Sequence, residues 1–370
     1  MQEQPDSQLL FPGRLMSLDV FRGLTMFLLI GEATHLYHLL VDPSLPGPLI
    51  RAIGLQFHHH PWNGLRFWDL IQPFFMFIVG VAMPFSLGRR WERGDSGKAI
   101  FRQALRRSMI LLFLGWAVYC IGPGRLTFEL WNVLAQLSFT YFVAFLMMRR
   151  PAGQQLVFTF GLLILTEILY RSWPAAGFNQ AFVPDHNFGS WVDMKLMGKL
   201  SAGHWVAFNA VPTTAHTMWG VLAGQLLRSG RPPGKKIRTL ALAGLAGIAL
   251  GLALDPVTPI VKRICTSSFV IASGGFCLVA LAMFYWLVDV RCFRRGAKFF
   301  AVVGMNPIFI YLFTETGGAR WLDRLARPFT VGLFSWAGRL PAEIATSLAV
   351  WAMLWSMCFW LYRRKILIKI

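Results

Sequence analysis

The run HHHPWNGLRFWDLIQP, from His58 to Pro73, gathers three imidazoles and one carboxylate into a short stretch. Pro61 disfavours helix at the residue before it, so the histidines are expected on a turned loop. Asn63 or a neighbour can cap the helix that follows. Asp69 would then lie in the first turns, where the positive helix terminus favours an ionised carboxylate. A carboxylate facing an imidazole orients the ring and stabilises its cation, which is how a histidine acts as a general base. His59 and Asp69 stand ten residues apart, so their pairing requires the loop to fold back over the helix end. Two blander readings compete. A metal site would need a second group of carboxylate or thiol ligands, and none accompanies the run, so no metal is expected. An interfacial loop rich in amphipathic side chains would have the same composition.

Ionisable groups also occur inside an apolar stretch, where each is a functional hypothesis because its burial is costly. Asp19 and Arg22 are three apart and share a helix face, so they can form an ion pair. Arg22 either snorkels to lipid phosphates or offers a cation to a phosphorylated ligand. Glu32 and His35, again three apart, either line a cavity at the other end of the same helix or reach the interface. Glu32, His35, His58 and Trp62 are the candidate substrate contacts. In Gly304–Met305–Asn306–Pro307, the proline removes one helical hydrogen bond and frees a carbonyl that the protein must satisfy. Asn306 beside it suits a polar conduit and a helix–helix contact equally.

The elements that hold these residues are apolar helices. The chain has 370 residues, 55% of them hydrophobic and only 14% charged, and its mean hydropathy is +0.51. A soluble domain of this size needs more charge to coat its surface. The reading is an all-α polytopic membrane bundle, one domain over residues 1–370, with about ten transmembrane helices. The windows are 17–40, 67–87, 108–123, 129–148, 154–171, 207–227, 239–255, 267–289, 299–317 and 343–362. Lysine and arginine concentrate in every second connection: 23 on one side, Arg14 included, against 12 on the other, with Arg22 inside the first window. This alternation follows the positive-inside rule and predicts both termini on the cytoplasmic side. It also accounts for the +19 net charge, so nucleic acid is not an expected partner. The polar N-terminal run has no apolar segment before a small-residue cleavage site, so the first window is expected to serve as its own insertion signal.

The basic-side connections are short, so chemistry is expected within the bundle or at its outer mouth. The segment 318–342, with Trp321, Leu322, Leu325 and Phe329 among arginines, is expected to lie amphipathically in the interface. Five cysteines show no paired spacing. No CxxC occurs, so neither a zinc site nor a disulfide framework is expected; Cys120 and Cys265, both toward the outer face, are the one pair left open to bridging.

Two of these runs are specific. RLMSLDVFRGLTM (Arg14 to Met26) and HHPWNGLRFWDLIQPFFMFIVG (His59 to Gly80) strongly resemble the heparan-α-glucosaminide N-acetyltransferase family. The resemblance continues in order through NVLAQLSFTYFV, VPTTAHTMWGVLAGQLL, PIVKRICTSSFV and VGMNPIFIY, the last being Val303 to Tyr311. It implies transfer of acetyl from cytoplasmic acetyl-CoA to a sugar amine on the far side of a membrane, here an inner membrane. The family's essential histidine precedes the Trp of W-N-G by three residues, which is His59, and its partner aspartate corresponds to Asp69. Asn306 matches the asparagine of its G-M-N motif and, with Asp19 and Arg22, would hold the donor. There is a departure: where the animal enzyme has an asparagine near the outer end of the first helix, this chain has Ala33 beside Glu32. That end should face the acceptor. The animal enzyme's N-terminal lumenal extension has no counterpart here, which points to a bacterial protein.

The expected partners are therefore the lipid bilayer, an amino-sugar or polysaccharide acceptor, and a second copy of the chain if it dimerises. His59 acts either as base in a ternary complex or as a transient acetyl carrier. Two other functions fit the same polar residues: a sugar transporter, and an O-acetyltransferase of envelope polysaccharide.

Overall fold

A computed structural model of the chain describes residues 15–45 and 47–368, and its regular elements are helices. Arg14 and Lys369, counted above among the basic-side charges, lie outside the described residues, as does the polar N-terminal run. Among the described residues there is no strand. One isolated antiparallel bridge joins Asn63 to Val261.

The order begins α1 (Met16–Glu32), α2 (Leu36–Leu39) and α3 (Pro48–Gln56). It continues with α4 (Ile71–Glu92), α5 (Gly97–Ile121), α6 (Val133–Met147), α7 (Ala152–Ser172) and α8 (Phe188–Met197). Then come α9 (Ala210–Arg228), α10 (Pro233–Leu254), α11 (Ser267–Phe284), α12 (Ala297–Met305), α13 (Pro307–Glu315), α14 (Gly318–Phe334) and α15 (Arg339–Arg363).

Each of the ten expected windows falls on a helix, but their membrane-spanning character differs. Six described helical stretches are long and apolar enough to cross a bilayer, seven if the bent pair α12–α13 counts as one. The chain is thus a multi-pass helical membrane protein, with fewer clear spans than expected. The shortfall has physical causes. α6 has 15 residues and reaches only about 22 Å, against a hydrocarbon core of about 30 Å. α1 has 17. α9 carries Thr213, Thr214, His216 and Thr217, all buried. It sits inside the bundle, so its polar groups face protein rather than lipid.

Glycines allow two close helix–helix approaches. Gly80 of α4 meets the backbone of Thr217 and Gly220 on α9 with no room for a Cβ. Gly23 of α1 lies equally close to the Phe300 carbonyl of α12. Small residues let helix backbones approach where apolar burial gives no net drive between helices in lipid. α14 is amphipathic as expected, with Trp321, Leu325 and Phe329 exposed; Leu322 turns inward instead and is buried. All five cysteines are free, so Cys120 and Cys265 are not bridged. The Cys265 thiol donates instead to the Lys262 carbonyl.

Candidate functional site

The loop before α4 folds back over the helix end. His59 Nδ1 lies 2.9 Å from Asp69 Oδ1. The other carboxylate oxygen accepts the backbone N–H of His60 at 3.2 Å and of Arg66 at 2.9 Å. The cap is therefore Arg66 rather than Asn63, and Asp69 sits in a 3₁₀ turn, Phe67–Leu70, that leads into α4. Asn63 instead joins two loops. Its bridge to Val261, with the Gly64 N–H donating to the Ile260 carbonyl at 2.8 Å, ties this loop to the one before α11.

That second loop delivers a residue which the sequence reading counted only as an outer-side charge. Lys262 Nζ lies 3.0 Å from His59 Nδ1 and 3.7 Å from Asp69 Oδ1. Its side chain is only 6% exposed, an unusual state for a lysine. The signal for it was present: a basic pair on the charge-poor side, set among Ile260, Val261, Ile264 and Cys265, all now buried. Trp205, on the segment before α9, packs its ring edge-on to His59 at 5.4 Å and beneath Lys262.

Burial, reinforced by the Lys262 ammonium, pushes the His59 imidazole down to about 4 against the pull of Asp69. Burial also pulls Lys262 down to about 8, with Asp69 resisting. Both shifts follow from desolvation of the charged form. With Nδ1 engaged on two sides, Nε2 is the ring nitrogen left to a ligand.

His59 and Lys262 line a cavity of about 390 Å³ that also takes in Glu32, Gln72, Tyr311 and Glu315. Glu32 accepts the Trp68 indole N–H at 3.0 Å, and Gln72 donates to Gln136. A second cavity, of about 130 Å³, holds Arg22, Arg107 and Pro307 nearer the basic end. Phe75, Val133 and Tyr311 line both. The Tyr311 hydroxyl at this shared wall accepts from Asn132 Nδ2 at 3.1 Å.

Arg22 reaches Asp19 at 2.5 Å and the Gly304 carbonyl at 2.7 Å. Gly304 lies at the end of α12, just before the break at which α12 and α13 meet at 71°. Asn306 itself is placed elsewhere than expected. Its carboxamide bonds the C-terminal tail, donating to the Ile366 carbonyl at 3.0 Å and accepting from Ile368 N–H at 2.8 Å. It lines neither cavity.

Three of the four expected substrate contacts also lie apart from His59's cavity. His58 Nε2 faces the Tyr37 carbonyl, and Trp62 donates to Phe182. His35, in a left-handed turn (φ 63°), lines a separate recess with Arg320, Arg324 and Arg327. Glu32 alone of the four joins His59. A larger groove beside α10 and α11, about 590 Å³, is lined mostly by aliphatic side chains and holds none of these residues.

No family model matches the chain. It does have distant curated relatives, two of them N-acetyltransferases by name. It is 25% identical over 375 residues to human heparan-alpha-glucosaminide N-acetyltransferase, an alignment covering 81% of this chain and 52% of that protein. The mouse protein of the same name is 24% identical over 382 residues, with 84% and 54% covered. The chain spans about half the length of the curated relatives it matches.

Proposed function

We propose that this protein is a transmembrane acyltransferase of an inner membrane, one domain of about ten spans with both termini cytoplasmic. It moves acetyl from cytoplasmic acetyl-CoA to the amine of a glucosamine-like sugar on the far side. The observation that carries the reading is the pair of adjoining cavities with Phe75, Val133 and Tyr311 as their common wall, one lined by Arg22 and Arg107 and the other by His59. Acetyl-CoA is too charged to cross lipid, so its thioester has to be presented through protein. Arg22 and Arg107 would hold its phosphates, and the pantetheine arm would have to pass the common wall to reach His59.

Glu32 and Glu315 in the outer cavity favour a cationic acceptor, hence an amine over a hydroxyl. The acceptor must lose a proton before it attacks. His59 Nε2 takes that proton while Asp69 holds Nδ1–H. The amine nitrogen then bonds to the acetyl carbon and gives up its second proton to water. The C–S bond breaks, and coenzyme A leaves as thiolate, which the histidinium proton neutralises; one proton is released overall.

The test uses the full chain in liposomes, with radiolabelled acetyl-CoA on one side and glucosamine on the other. Labelled N-acetylglucosamine that disappears in His59→Gln supports the reading. Glucosamine crossing with no acetyl moved makes the protein a transporter.

A further inference from the structure

Deepening the acyl-transfer reading, we infer that Lys262 is a positioning residue that decides which face of His59 the cavity meets. With its ammonium on Nδ1 the ring presents an N–H donor, and only when Lys262 is neutral does Nε2 present a lone pair.

The inference begins with one atom. Nδ1 of His59 has two partners in hydrogen-bonding range, a carboxylate at 2.9 Å and an amine at 3.0 Å. A neutral imidazole nitrogen carries either a hydrogen or a lone pair, and the two partners ask for opposite choices. If Nδ1 bears the hydrogen, it donates to Asp69, but a protonated Lys262 then points a second donor at it. If Nδ1 bears the lone pair, Lys262 donates to it and also sits 3.7 Å from Asp69 Oδ1, bridging the two acceptors. The charged lysine therefore selects the second arrangement, which puts the hydrogen on Nε2 and removes the base. Loss of one proton from Lys262 reverses the choice: Nδ1–H turns to Asp69 and Nε2 opens.

The groups that face this imidazole come from several elements. Asp69 lies in the turn before α4, and Lys262 and Arg263 lie in the loop before α11. Arg66 donates to the His59 carbonyl, and the His60 backbone shares Asp69. Glu32 of α1, Tyr119 of α5, and Glu315 and Tyr311 of α13 look on from the cavity wall. Among these described groups, Lys262 is the one that both touches the ring and titrates near neutrality, at about 8.

Transfer rates alone would not isolate this effect, because the acceptor amine titrates as well. Diethyl pyrocarbonate does isolate it, since it reacts with an accessible imidazole nitrogen carrying a lone pair. The full chain in nanodiscs is treated between pH 5.5 and 9.5, and the His59 peptide is quantified by mass spectrometry. Exposed His186 is the internal reference.

In the wild type, His59 modification should rise with a midpoint near pH 8, following Lys262. In Lys262→Met the midpoint should fall to the ordinary histidine range or below, making modification at pH 7 about tenfold faster. In Lys262→Arg the charge persists at every pH, so His59 should stay slow throughout. Superimposed profiles for wild type and Lys262→Met, or a fast Lys262→Arg, would overturn the inference. Because the reagent reports on the ring and not on catalysis, either result stands whether or not acetyl is transferred.

Discussion

Replacing Asp69 by asparagine tests the geometry of the site more sharply than deleting the side chain. One carboxylate oxygen serves two backbone donors, the N–H groups of His60 and Arg66, while the other faces His59 Nδ1. An asparagine has one acceptor oxygen and one donor NH₂, so it must choose. Turning the NH₂ toward the two backbone donors leaves both unpaired in a buried position, at about 1–3 kcal/mol each. The oxygen therefore stays on the backbone, at a preference of about 2–6 kcal/mol, and the NH₂ meets His59. It then donates to Nδ1 and holds the ring with its hydrogen on Nε2, the tautomer that offers the cavity no lone pair. With a central preference of about 4 kcal/mol, kcat/KM for acetyl transfer should fall about 10³-fold. The backbone hydrogen bonds of the loop survive, so the variant should remain folded. The assay is transfer from labelled acetyl-CoA to glucosamine in proteoliposomes, with monodispersity and thermal unfolding as controls. A folded Asp69→Asn protein within tenfold of wild type would refute the argument that Asp69 holds the hydrogen on Nδ1 in the reactive tautomer.

Two further outcomes follow from packing. Gly80→Ala would push a methyl into the Thr217 carbonyl across the α4–α9 contact, forcing the helices apart at about 1–3 kcal/mol or more. The unfolding midpoint in detergent should drop, and an unchanged midpoint would mean that the contact has slack. Val133→Trp, at the wall between the cavities, should abolish labelled transfer without lowering that midpoint. Transfer at the wild-type rate would show that acetyl takes another route.

Asn306 shows where local reading runs out. The break before Pro307 was legible, because a proline inside an apolar window must leave a carbonyl unpaired. Which partners the break would find was not legible. The Gly304 carbonyl, at the end of α12, went to Arg22, and the asparagine went to a tail some sixty residues further on. Glu32 and His35 are a parallel case. Their spacing put both near one end of α1, but α1 stops at Glu32 and His35 adopts a left-handed turn. The two side chains therefore enter different cavities.

By itself, the sequence determined the solvent and the class of fold. Long apolar runs have no stable place in water, and within lipid only a helix satisfies its own backbone. It also determined the chemical inventory: a histidine loop, an aspartate one helix start away, and basic groups gathered at alternate connections. Tertiary structure decided which of these groups meet. His59 and Lys262 are 203 residues apart, and their contact exists because the Asn63–Val261 bridge holds two loops together over the mouth of the bundle. No local periodicity encodes such a contact, because it depends on how helices α4, α9 and α11 pack, and that is a property of the whole chain.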